Sequence, residues 1–356
     1  MKRILIINTA NTDFTGITNV ILNYLTATHS CVQYEFLLTA RVNEQVADIL
    51  RQYGAVHKPP YSRSKKSLAY MNWLTHFLKT NHFDGVHVHG NSGTTYFDIH
   101  AAKKARIPIR ICHCHSSSCK HPIVHYTLKP FLNRELTHAI SCSDLAEKWL
   151  FTKKSILLPN GINIPKYQFN LEARASYRAE LGLENNFVIG HIGYMDTEKN
   201  HMFLLSVFKK LLSVRPESKL VLIGDGRLRS EIEQYIETEN LKDSVLVLGK
   251  RGDACSLYSA MDAFVLPSLF EGLPLSLVEA QTAGLPCFVS NAVTKQADLT
   301  GSVTYLGIAE EDKDSWVQVL TDAKSQEDRP RFASMVADTV FNIDVCSKTL
   351  LEIYGV

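Results

Sequence analysis

The chain of 356 residues is long enough for two domains, and its 45% hydrophobic and 21% charged residues are ordinary for a globular protein in water. No stretch reaches the roughly 18 apolar residues of a membrane-spanning helix, which argues against an integral membrane protein. The net charge is only +2, but residues 1–164 carry 19 Lys and Arg against 9 Asp and Glu, whereas the remainder carries 19 against 27. This asymmetry reflects either solvated faces distributed by chance or an N-terminal half that faces an anionic surface, such as a membrane. We predict no nucleic-acid partner.

The first strand and the cysteines indicate the compartment. The apolar run in MKRILIINTA has about five residues, which is too few for the core of a signal peptide, so it predicts a buried strand. The eight cysteines lack the spacing of a secreted disulfide framework. We therefore expect reduced thiols and a cytoplasmic protein, either free or attached peripherally to the inner face of the plasma membrane.

Short apolar runs alternate with longer amphipathic stretches through the first half. The runs that predict buried strands are RILIINTA (3–10), YEFLLTA (34–40), GVHVHG (85–90), IRICHCH (109–115), HAISCS (138–143) and SILLPNG (155–161). Helices are predicted between them, for example over 16–29 and 67–81. This alternation is typical of a parallel sheet covered by helices.

The pattern pauses at LPNGINIPKYQFN and then starts again. The second set of predicted strands is NFVIGHIGYM (186–195), SKLVLIGDG (218–226), SVLVLGK (244–250), DAFVLPS (262–268) and PCFVSN (286–291). We predict domains at 1–164 and 165–340, with a terminal helix over 341–356. The predicted fold class is α/β, with two doubly wound parallel sheets whose strand ends face an interdomain cleft.

The stretch FEGLPLSLVEA, residues 270–280, places Glu271 and Glu279 on either side of a predicted helix start. Backbone N–H groups at such a start suit a phosphate. Carboxylates only accept hydrogen bonds and therefore suit vicinal hydroxyls. Two acids beside a phosphate-binding turn thus predict a sugar nucleotide, with a ribose on one side and a hexose on the other. The alternative is that Glu271 caps the helix and Glu279 forms a surface ion pair.

Two other loops of the second half carry basic residues. Lys199 lies near a helix start after a Gly-containing turn, where it could hold a phosphate or be an ordinary surface lysine. Gly249, Lys250 and Arg251 end a strand, where they could meet a base edge or form an exposed basic turn. The G-x-G at 224–226 lacks the full dinucleotide fingerprint and predicts only a tight turn.

In the first half, Gly16 opens a helix after the first strand and predicts another turn that a phosphate can approach. Histidines cluster at two strand ends, in VHVHG and CHCHSS. We expect His113 or His115 to line a cleft and His87 to be buried. Cysteines and histidines over 112–119 are zinc-ligand types, but neighbours in a strand point to opposite faces and no C-x-x-C occurs, so we predict no metal site.

Several catalytic motifs are missing. The chain has no D-x-D at the end of a predicted strand, where it could hold a metal–diphosphate, no G-x-x-x-x-G-K-[ST] and no G-x-S-x-G. These absences argue against a metal-dependent transferase of the other main architecture, a P-loop kinase and an α/β-hydrolase.

At this point the motifs resemble a known family. F-E-G-L-P-L-x-L-x-E-A, followed by G-L-P at 284–286, looks like the signature of family 4 retaining glycosyltransferases of the GT-B fold. GHIGYMDTEKNHMFLL, LVLIGDG, LPNGI and DAFVLPSLFEG are similar to the family's other landmarks, in the same order. GAVHKPPYS, FDGVHVHG and AAKKARIPIRICHCHSSS resemble the branch that builds bacterial capsular and extracellular polysaccharides.

The resemblance implies two Rossmann-like domains, with the donor on the second, the acceptor on the first and the last helix crossing back to the first. It implies that Glu279 binds ribose hydroxyls and that Glu271 binds a donor-sugar hydroxyl. The implied diphosphate contacts are Lys199, Gly272, Leu273, Pro274, Leu275 and Ser276. The remaining implied positions are Gly249, Lys250 and Arg251 at the base, Gly16 near the phosphates, His115 near the sugar, and His89 and His113 on the acceptor side.

Two loops depart from the family pattern. Tyr194 stands where the family usually has an arginine after the HIG turn, so one cation at the diphosphate is missing. Either Arg251 or a residue of the N-terminal domain substitutes for it, or the leaving group is stabilised more weakly. In the N-terminal loop, Thr15 replaces the first of two glycines, and Thr18 or Asn19 stands near the place of an acid.

These inferences predict a hexose or N-acetylhexosamine transferase that uses a nucleoside diphosphate sugar, with UDP favoured, and acts on a growing glycan or lipid-linked saccharide. His115, Lys199 and Glu271 are the predicted catalytic residues, with no cofactor and no metal. Two alternatives remain open. One is a sugar-nucleotide 2-epimerase of the same architecture, and the other is a non-catalytic partner subunit, which the departures at Tyr194 and Thr15 favour.

A membrane contact is a separate prediction. Basic Arg63, Lys65 and Lys66 precede an apolar and aromatic stretch over 70–77, and the whole N-terminal half is basic. This pattern predicts peripheral docking on an anionic bilayer. The alternative is an ordinary helix whose apolar face packs inward.

Overall fold

The computed structural model describes residues 1–13, 16–119, 121–324 and 328–356. The chain forms two compact units. The N-terminal unit comprises Met1–Ile162 and Ile343–Val356, and the C-terminal unit comprises Asn163–Asn342. The chain thus passes from one unit to the other between residues 162 and 163, and again between residues 342 and 343. The sequence analysis placed these boundaries at 164/165 and 340/341.

The N-terminal unit is built on a parallel sheet of seven strands in the order β3-β2-β1-β4-β5-β6-β7. Its strands are β1 (Lys2–Asn8), β2 (Val32–Leu38), β3 (Val56–His57), β4 (Gly85–His89), β5 (Ile109–Cys114), β6 (His138–Ser141) and β7 (Ile156–Leu157). Its helices are α1 (Gly16–Thr28), α2 (Glu44–Arg51), α3 (Ser67–Asn81), α4 (Tyr96–Lys104), α5 (Pro122–Glu135), α6 (Asp144–Leu150) and, at the end of the chain, α15 (Ile343–Tyr354). Helix α15 packs against α1.

The C-terminal unit repeats this plan with six parallel strands in the order β10-β9-β8-β11-β12-β13. Its strands are β8 (Phe187–Ile192), β9 (Ser218–Ile223), β10 (Val245–Gly249), β11 (Ala263–Leu266), β12 (Cys287–Ser290) and β13 (Val303–Leu306). Its helices are α7 (Ile164–Tyr167), α8 (Leu171–Leu181), α9 (His201–Leu212), α10 (Arg229–Thr238), α11 (Ala254–Ala260), α12 (Leu275–Thr282), α13 (Lys313–Asp322) and α14 (Pro330–Ala337). The predicted fold class is thus confirmed at the level of each unit.

The apolar runs form these strands because both faces of a parallel sheet are covered by helices, which demands side chains that are apolar on both faces. The last five residues of β1 and all four residues of β11 are buried, and no residue of either strand is exposed. The sequence analysis missed β3 and β13. Both are short edge strands without a fully buried stretch, so they lack the apolar run on which strand prediction relies.

Each sheet reverses its strand order beside its first strand. In the N-terminal unit β1 pairs with both β2 and β4, and Asn8 lies opposite His89. In the C-terminal unit β8 pairs with both β9 and β11. Ligands of doubly wound sheets bind at the carboxyl ends of the strands that flank such a reversal. The loops after β1, β4, β8 and β11 are therefore the places to look for a site.

The apolar side of helix α3 faces the core, contrary to the predicted contact of this helix with a membrane. The apolar side chains of this helix that lie in or against the core of the N-terminal unit are Tyr70, Met71, Trp73, Leu74 and Phe77. Arg63 is also engaged, since its Nη2 donates to Asp98 Oδ2 at 2.6 Å and the Asp98 side chain is fully buried. The prediction that this side of α3 faces a bilayer was wrong, because the side faces the core.

Among the described residues, no helix combines the length and the apolar character needed to cross a membrane.

Candidate active site

Lys199 and Glu271 form an ion pair that joins the loops after β8 and β11. Lys199 Nζ donates to Glu271 Oε1, and the Ser268 hydroxyl donates to the same oxygen at 2.7 Å. The two loops are also tied through the backbone, where the Leu269 N–H donates to the Glu198 carbonyl at 2.8 Å. The sequence analysis assigned Lys199 and Glu271 to different parts of a donor and did not predict that they contact each other. The pair places an ammonium and a carboxylate at the point where the strand order reverses.

Two buried imidazoles lie beside Lys199. His191 on β8 and His201 at the start of α9 are in edge-to-face contact, with ring centroids 4.7 Å apart. His191 Nδ1 lies 2.9 Å from the carbonyl oxygen of Val265. Burial, and then the nearby Lys199 ammonium, lowers the pKa of His201 to about 4, and burial also lowers the pKa of His191. Both rings are therefore neutral at neutral pH and do not repel the Lys199 ammonium.

The start of α12 is open to an anion. The helix begins at Leu275 after the cap residue Pro274, and no side chain in the described part of the chain caps it. The first N–H groups of an α-helix lack intrahelical acceptors and carry the positive end of its dipole. The predicted contacts from Gly272 to Ser276 all lie at this start. Their backbone can therefore receive a phosphate.

Glu279 lies one turn into α12, on the other side of the helix start from Glu271. The Tyr258 hydroxyl donates to Glu279 Oε2 at 2.7 Å. Burial raises the pKa of Glu279, and the hydroxyls of Tyr258 and Tyr167 oppose that rise. A carboxylate has about four lone-pair positions. Glu279 can thus accept hydrogen bonds from a ligand while Tyr258 holds it.

A buried arginine fixes the helices that carry these groups. Arg329 is 2% exposed and donates to the carbonyls of Tyr258 and Met261 at 2.9 Å and of Ala283 at 2.8 Å. Those carbonyls end α11 and α12, where a cation also meets the negative end of each helix dipole. Burial lowers the pKa of Arg329 to about 9, so the guanidinium remains charged at neutral pH. Through Tyr258, this contact positions Glu279.

The predicted base loop contains an arginine that is already paired. Gly249 ends β10 with φ +66°, and Lys250 and Arg251 follow it. Arg251 donates to both carboxylate oxygens of Asp253, at 2.8 and 2.7 Å, and lies 3.3 Å from Glu180. Arg251 lowers the pKa of Asp253 to about 2. Arg251 is therefore a poor substitute for the cation missing at Tyr194.

A different arginine lies beside the loop of Tyr194. Tyr194 is 54% exposed after β8, and the next residue, Met195, donates its N–H to the Asp225 carbonyl at 3.1 Å. Arg227 in that neighbouring loop donates through Nε to Asp196 at 2.8 Å, and its side chain is 68% exposed. The sequence analysis missed Arg227, because only the pairing of β8 with β9 brings the two loops together.

The glycines near the strand ends fall into two groups. Gly224 has φ +138°, and a Cβ there would lie 1.9 Å from the Gly193 carbonyl oxygen, so the tight turn itself requires glycine. Gly16, Gly252 and Gly272 have no positive φ, and a Cβ at each would meet no described atom within 4 Å. Neither the backbone nor the packing of the described residues requires glycine at these three places. The space beside them is open at the carboxyl ends of β1, β10 and β11.

In the N-terminal unit, Gly16 is the first residue of α1, and the preceding Phe14 and Thr15 lie outside the described residues. His115 directly follows β5 and is half-buried. Its backbone N–H donates to Asn91 Oδ1 at 2.8 Å, and its ring Nδ1 lies 3.3 Å from Asn160 Oδ1. Burial lowers the pKa of His115 to about 4. This imidazole is therefore a neutral polar group at neutral pH.

Behind His115, three more histidines share its face of the sheet. His87 and His89 lie on β4, His113 lies on β5 opposite His89, and neighbouring ring centroids among the four are 4.1 to 5.5 Å apart. Burial lowers the pKa of His87, His89 and His113 well below the usual value. Cys112 points the other way, 3.5 Å from Thr95 Oγ1.

The histidine cluster changes two predictions. His89 is 2% exposed and His113 is 0% exposed, so neither side chain presents a surface to an acceptor, and the structure moves both from the predicted acceptor side into the interior. The argument against a metal site considered neighbours within one strand. It overlooked that residues two apart on two adjacent strands share a face, which brings the ring nitrogens of His87, His89 and His113 within 4.8 Å of one another.

Comparison with known proteins identifies the family of this chain. Residues 173–333 match the model of the family described as glycosyl transferases group 1. EpsF of Bacillus subtilis (strain 168), a protein named as a glycosyltransferase, is 33% identical over 314 residues, which cover 83% of this chain and 81% of EpsF. The chain belongs to the group 1 glycosyltransferases.

Two further proteins resemble this glycosyltransferase, one in sequence and one in fold. The UDP-Gal:alpha-D-GlcNAc-diphosphoundecaprenol alpha-1,3-galactosyltransferase of Escherichia coli is 32% identical over 234 residues, covering 61% of this chain and 60% of that protein. The crystal structure of Anabaena HepE in complex with UDP covers 99% of both chains with a TM-score of 0.77 at 19% identity. At that identity the likeness is one of fold. It confirms the predicted GT-B class with two Rossmann-like parallel-sheet domains.

Proposed function

We propose that this group 1 glycosyltransferase moves a hexose or N-acetylhexosamine from a UDP-sugar to a growing glycan or lipid-linked saccharide of a bacterial surface polysaccharide. The proposal includes retention of configuration, as in family 4. One observation carries it: two carboxylates, Glu271 and Glu279, are held by separate partners on either side of the uncapped start of α12. A sugar nucleotide has an anionic centre with hydroxyls at both ends, which matches that order of groups.

The donor would bind along this line. Glu279 accepts hydrogen bonds from the ribose hydroxyls, and Glu271 accepts one from the donor sugar. The diphosphate lies between them on the backbone of Gly272–Ser276, with Lys199 as its cation. The loop at 249–252 meets the base, and the open space beside Gly252 and Gly272 suits close approach of a ligand. UDP is favoured because the Escherichia coli relative is named for UDP-Gal and HepE was crystallised with UDP.

Catalysis would depend on electrostatics and positioning. The acceptor hydroxyl attacks the anomeric carbon on the face that the diphosphate leaves, the bond from that carbon to the phosphate oxygen breaks, and a donor phosphate oxygen takes the acceptor proton. Lys199 and the N–H groups of α12 stabilise the charge that develops on the leaving diphosphate. His115 supports the sugar as a neutral imidazole, and Gly16 is the proposed phosphate-side residue of the N-terminal unit. Transfer itself needs no metal and no cofactor.

The acceptor is proposed to bind the N-terminal unit, as a saccharide or a lipid-linked glycan. The name of the Escherichia coli relative, which includes a diphosphoundecaprenol acceptor, supports a lipid-linked substrate. His89 hydrogen-bonds His115 through its Nδ1, 2.9 Å from His115 Nε2. His89 and His113 therefore act behind His115, which they hold in place.

Contact with an anionic membrane is part of the proposal, and α5 replaces α3 as the contacting surface. On α5, Ile123 is 83% exposed, Tyr126 59%, Phe131 48% and Val124 44%. The N-terminal half in which α5 lies has a net charge of +10 by its residues. Exposed apolar and aromatic side chains on a basic surface are the pattern of a peripheral membrane contact.

Co-sedimentation with vesicles of phosphatidylcholine and phosphatidylglycerol tests this contact. The double variant Ile123→Ser with Tyr126→Ser is expected to lose most of the binding, and wild-type binding is expected to weaken with added salt. Leu171→Ser in the C-terminal unit is the matched control, because Leu171 is 71% exposed but lies in the acidic half. Equal binding by the double variant and the wild type would contradict the membrane contact and leave the transferase proposal standing.

Two alternative functions make different predictions. A sugar-nucleotide 2-epimerase would convert the donor without any acceptor. A non-catalytic partner subunit would bind a nucleotide without turnover, and Tyr194 in place of the family's arginine is the feature that favours it.

The test has two stages. A thermal-shift panel of nucleotide sugars identifies the donor that stabilises the protein most, and release of the nucleoside diphosphate is then measured with and without a lipid-linked acceptor. The proposal expects acceptor-dependent release that Lys199→Ala and Glu279→Ala abolish in folded protein. Full activity of either variant would contradict it, and sugar conversion without acceptor would establish the epimerase.

A further inference from the structure

The histidine cluster of the N-terminal unit has a feature that glycosyl transfer does not explain. His87, His89 and His113 are 1%, 2% and 0% exposed, yet several of their ring nitrogens lack a hydrogen-bond partner among the described residues. The unpartnered atoms are His87 Nε2 and both nitrogens of His113. A buried polar atom without a partner costs free energy, so three such atoms in one cluster call for a ligand.

The nitrogens that do have partners are arranged as outer contacts of a metal site. His87 Nδ1 lies 2.7 Å from the Tyr354 hydroxyl on α15, and His89 Nδ1 lies 2.9 Å from His115 Nε2. A histidine that binds a metal through one nitrogen almost always donates its other N–H to such a partner, which fixes the ring and its tautomer. In His87 the second nitrogen, Nε2, is buried without a partner among the described residues and is left for a ligand.

The spacing suits a transition-metal ion. Ligand nitrogens of the three histidines all lie within 4.8 Å of one another. A central ion would then be at most about 2.8 Å from each nitrogen. The 2.0–2.1 Å of a zinc–imidazole bond requires each nitrogen to move by about 0.7 Å, and it requires the rings, which are now 13–35° from parallel, to turn so that their nitrogens converge on the ion. Imidazole ligands suit zinc, copper and nickel, whereas magnesium and calcium prefer oxygen.

A small cavity lies beside the cluster. It has a volume of about 10 Å³ and is lined by His87, His89 and Tyr354 together with mainly apolar residues of β1, β2, α1 and α15, whereas His113 does not line it. The cavity therefore does not mark the position of the ion or of a fourth ligand. Three neutral histidines with one water are the ligand set of many zinc sites that are not fully closed by protein.

We propose that His87, His89 and His113 bind one divalent transition-metal ion of the zinc type, with Tyr354 and His115 as outer hydrogen-bond partners. The ion does not touch the sugar nucleotide, whose proposed ligands lie on other residues. It ties β4 and β5 to the terminal helix α15 through Tyr354, and it holds the ring of His115 through His89. The ion is thus a structural element of the N-terminal unit that also positions the proposed sugar-side histidine.

Metal content and cobalt spectroscopy of the whole chain test the site. Tag-free protein is stripped with chelator and titrated with Zn²⁺ against a chromophoric chelator, and Co²⁺ is added in a parallel titration. We expect one ion per chain, a Zn²⁺ dissociation constant of about micromolar or tighter, and the visible absorption bands of a low-coordinate cobalt site with nitrogen ligands. Stoichiometry far below one ion, or binding without those bands, would overturn the proposal.

Variants locate the ion. His89→Gln and His113→Gln keep the approximate side-chain size and are each expected to weaken Zn²⁺ binding at least 100-fold, and Tyr354→Phe about 10- to 100-fold. His76→Gln is the control, because His76 is exposed on α3 and is expected to leave affinity unchanged. An equal loss in His76→Gln, or none in His113→Gln, would assign the metal to the surface and refute the site. Circular dichroism checks folding, and the wild-type cobalt spectrum decides the question even if a variant does not fold.

Discussion

The two units gather contrasting polar groups near the carboxyl ends of strands in similar parallel sheets. In the C-terminal unit, the loops after β8 and β11 bring together Lys199 and Glu271, which are charged and 19% and 12% exposed. In the N-terminal unit, β4 and β5 carry His89 and His113, which are enclosed and neutral. The topology decides where polar groups can gather, and burial decides whether they can be charged, because an enclosed charge needs a partner. The first arrangement suits an anionic, hydroxyl-bearing donor, and the second suits a metal ion.

The largest effect on stability is expected at a buried charge of the C-terminal unit. Asp262 is 5% exposed, accepts from Arg174 at 2.6 Å and from the Val188 N–H at 2.9 Å, and also pairs with Arg178. Asp262→Ala would leave two arginines without their shared partner. We expect the free energy of unfolding to fall by about 3–5 kcal/mol in urea titrations.

The control for that variant is an exposed ion pair of the same unit. Asp314 lies 2.9 Å from Lys210, and its side chain is 83% exposed. Asp314→Ala is expected to change the free energy of unfolding by less than about 1 kcal/mol. Similar losses in the two variants would show that burial does not distinguish these charges.

The second prediction concerns the catalytic role of the pair formed by Lys199 and Glu271. Lys199→Ala is expected to lower kcat by about 10²- to 10³-fold, since it removes one preorganised donor to the leaving diphosphate. Thermal unfolding should change less than in Asp262→Ala, because Glu271 keeps the Ser268 hydroxyl as a hydrogen-bond donor when the lysine is removed. Lys210→Ala is the control for loss of a lysine and should retain full kcat. Retention of activity by Lys199→Ala would refute the assignment.

The third prediction is a pH dependence that belongs to Glu279. Burial raises the pKa of this carboxyl group, so it takes up a proton at a higher pH than an exposed glutamate does. A protonated carboxyl accepts fewer hydrogen bonds, so nucleotide-sugar affinity should decrease as the pH falls from 7 towards 5. Glu279→Gln should bind more weakly at pH 7 and show a flatter profile in calorimetric titrations. A nucleotide sugar is used instead of UDP, because a terminal phosphate itself titrates near pH 6. An unchanged profile in Glu279→Gln would assign the titration to another group.

The prediction with the smallest expected effect on kcat distinguishes the roles of two arginines. Arg227 is 68% exposed beside the loop of Tyr194 and pairs with one carboxylate, Asp196, whereas Arg251 is 26% exposed and is held by two, Asp253 and Glu180. Arg227→Ala is expected to lower kcat about tenfold, which corresponds to about 1.4 kcal/mol, and Arg251→Ala is expected to change mainly KM. The reverse result would show that Arg251 leaves its carboxylates to replace the cation that is missing at Tyr194.

The site of the C-terminal unit was more predictable from sequence than that of the N-terminal unit. Glu271, the turn after it and Glu279 are consecutive in the chain, so local spacing alone indicated their arrangement around a helix start. The contact of Lys199 with Glu271 depends on the pairing of β8 with β11, which spacing does not reveal. The histidine cluster depends on the register of β4 with β5, and the membrane interpretation of α3 failed because an apolar stripe faces a core as readily as a bilayer.

Acceptor-dependent turnover of a UDP-sugar, followed by NMR of the anomeric configuration, tests the central claim most directly. The account predicts that the nucleoside diphosphate is released only when the saccharide or lipid-linked acceptor is present, and that the new glycosidic bond has the anomeric configuration of the donor. Release without acceptor, no turnover with any stabilising donor, or an inverted product would contradict it.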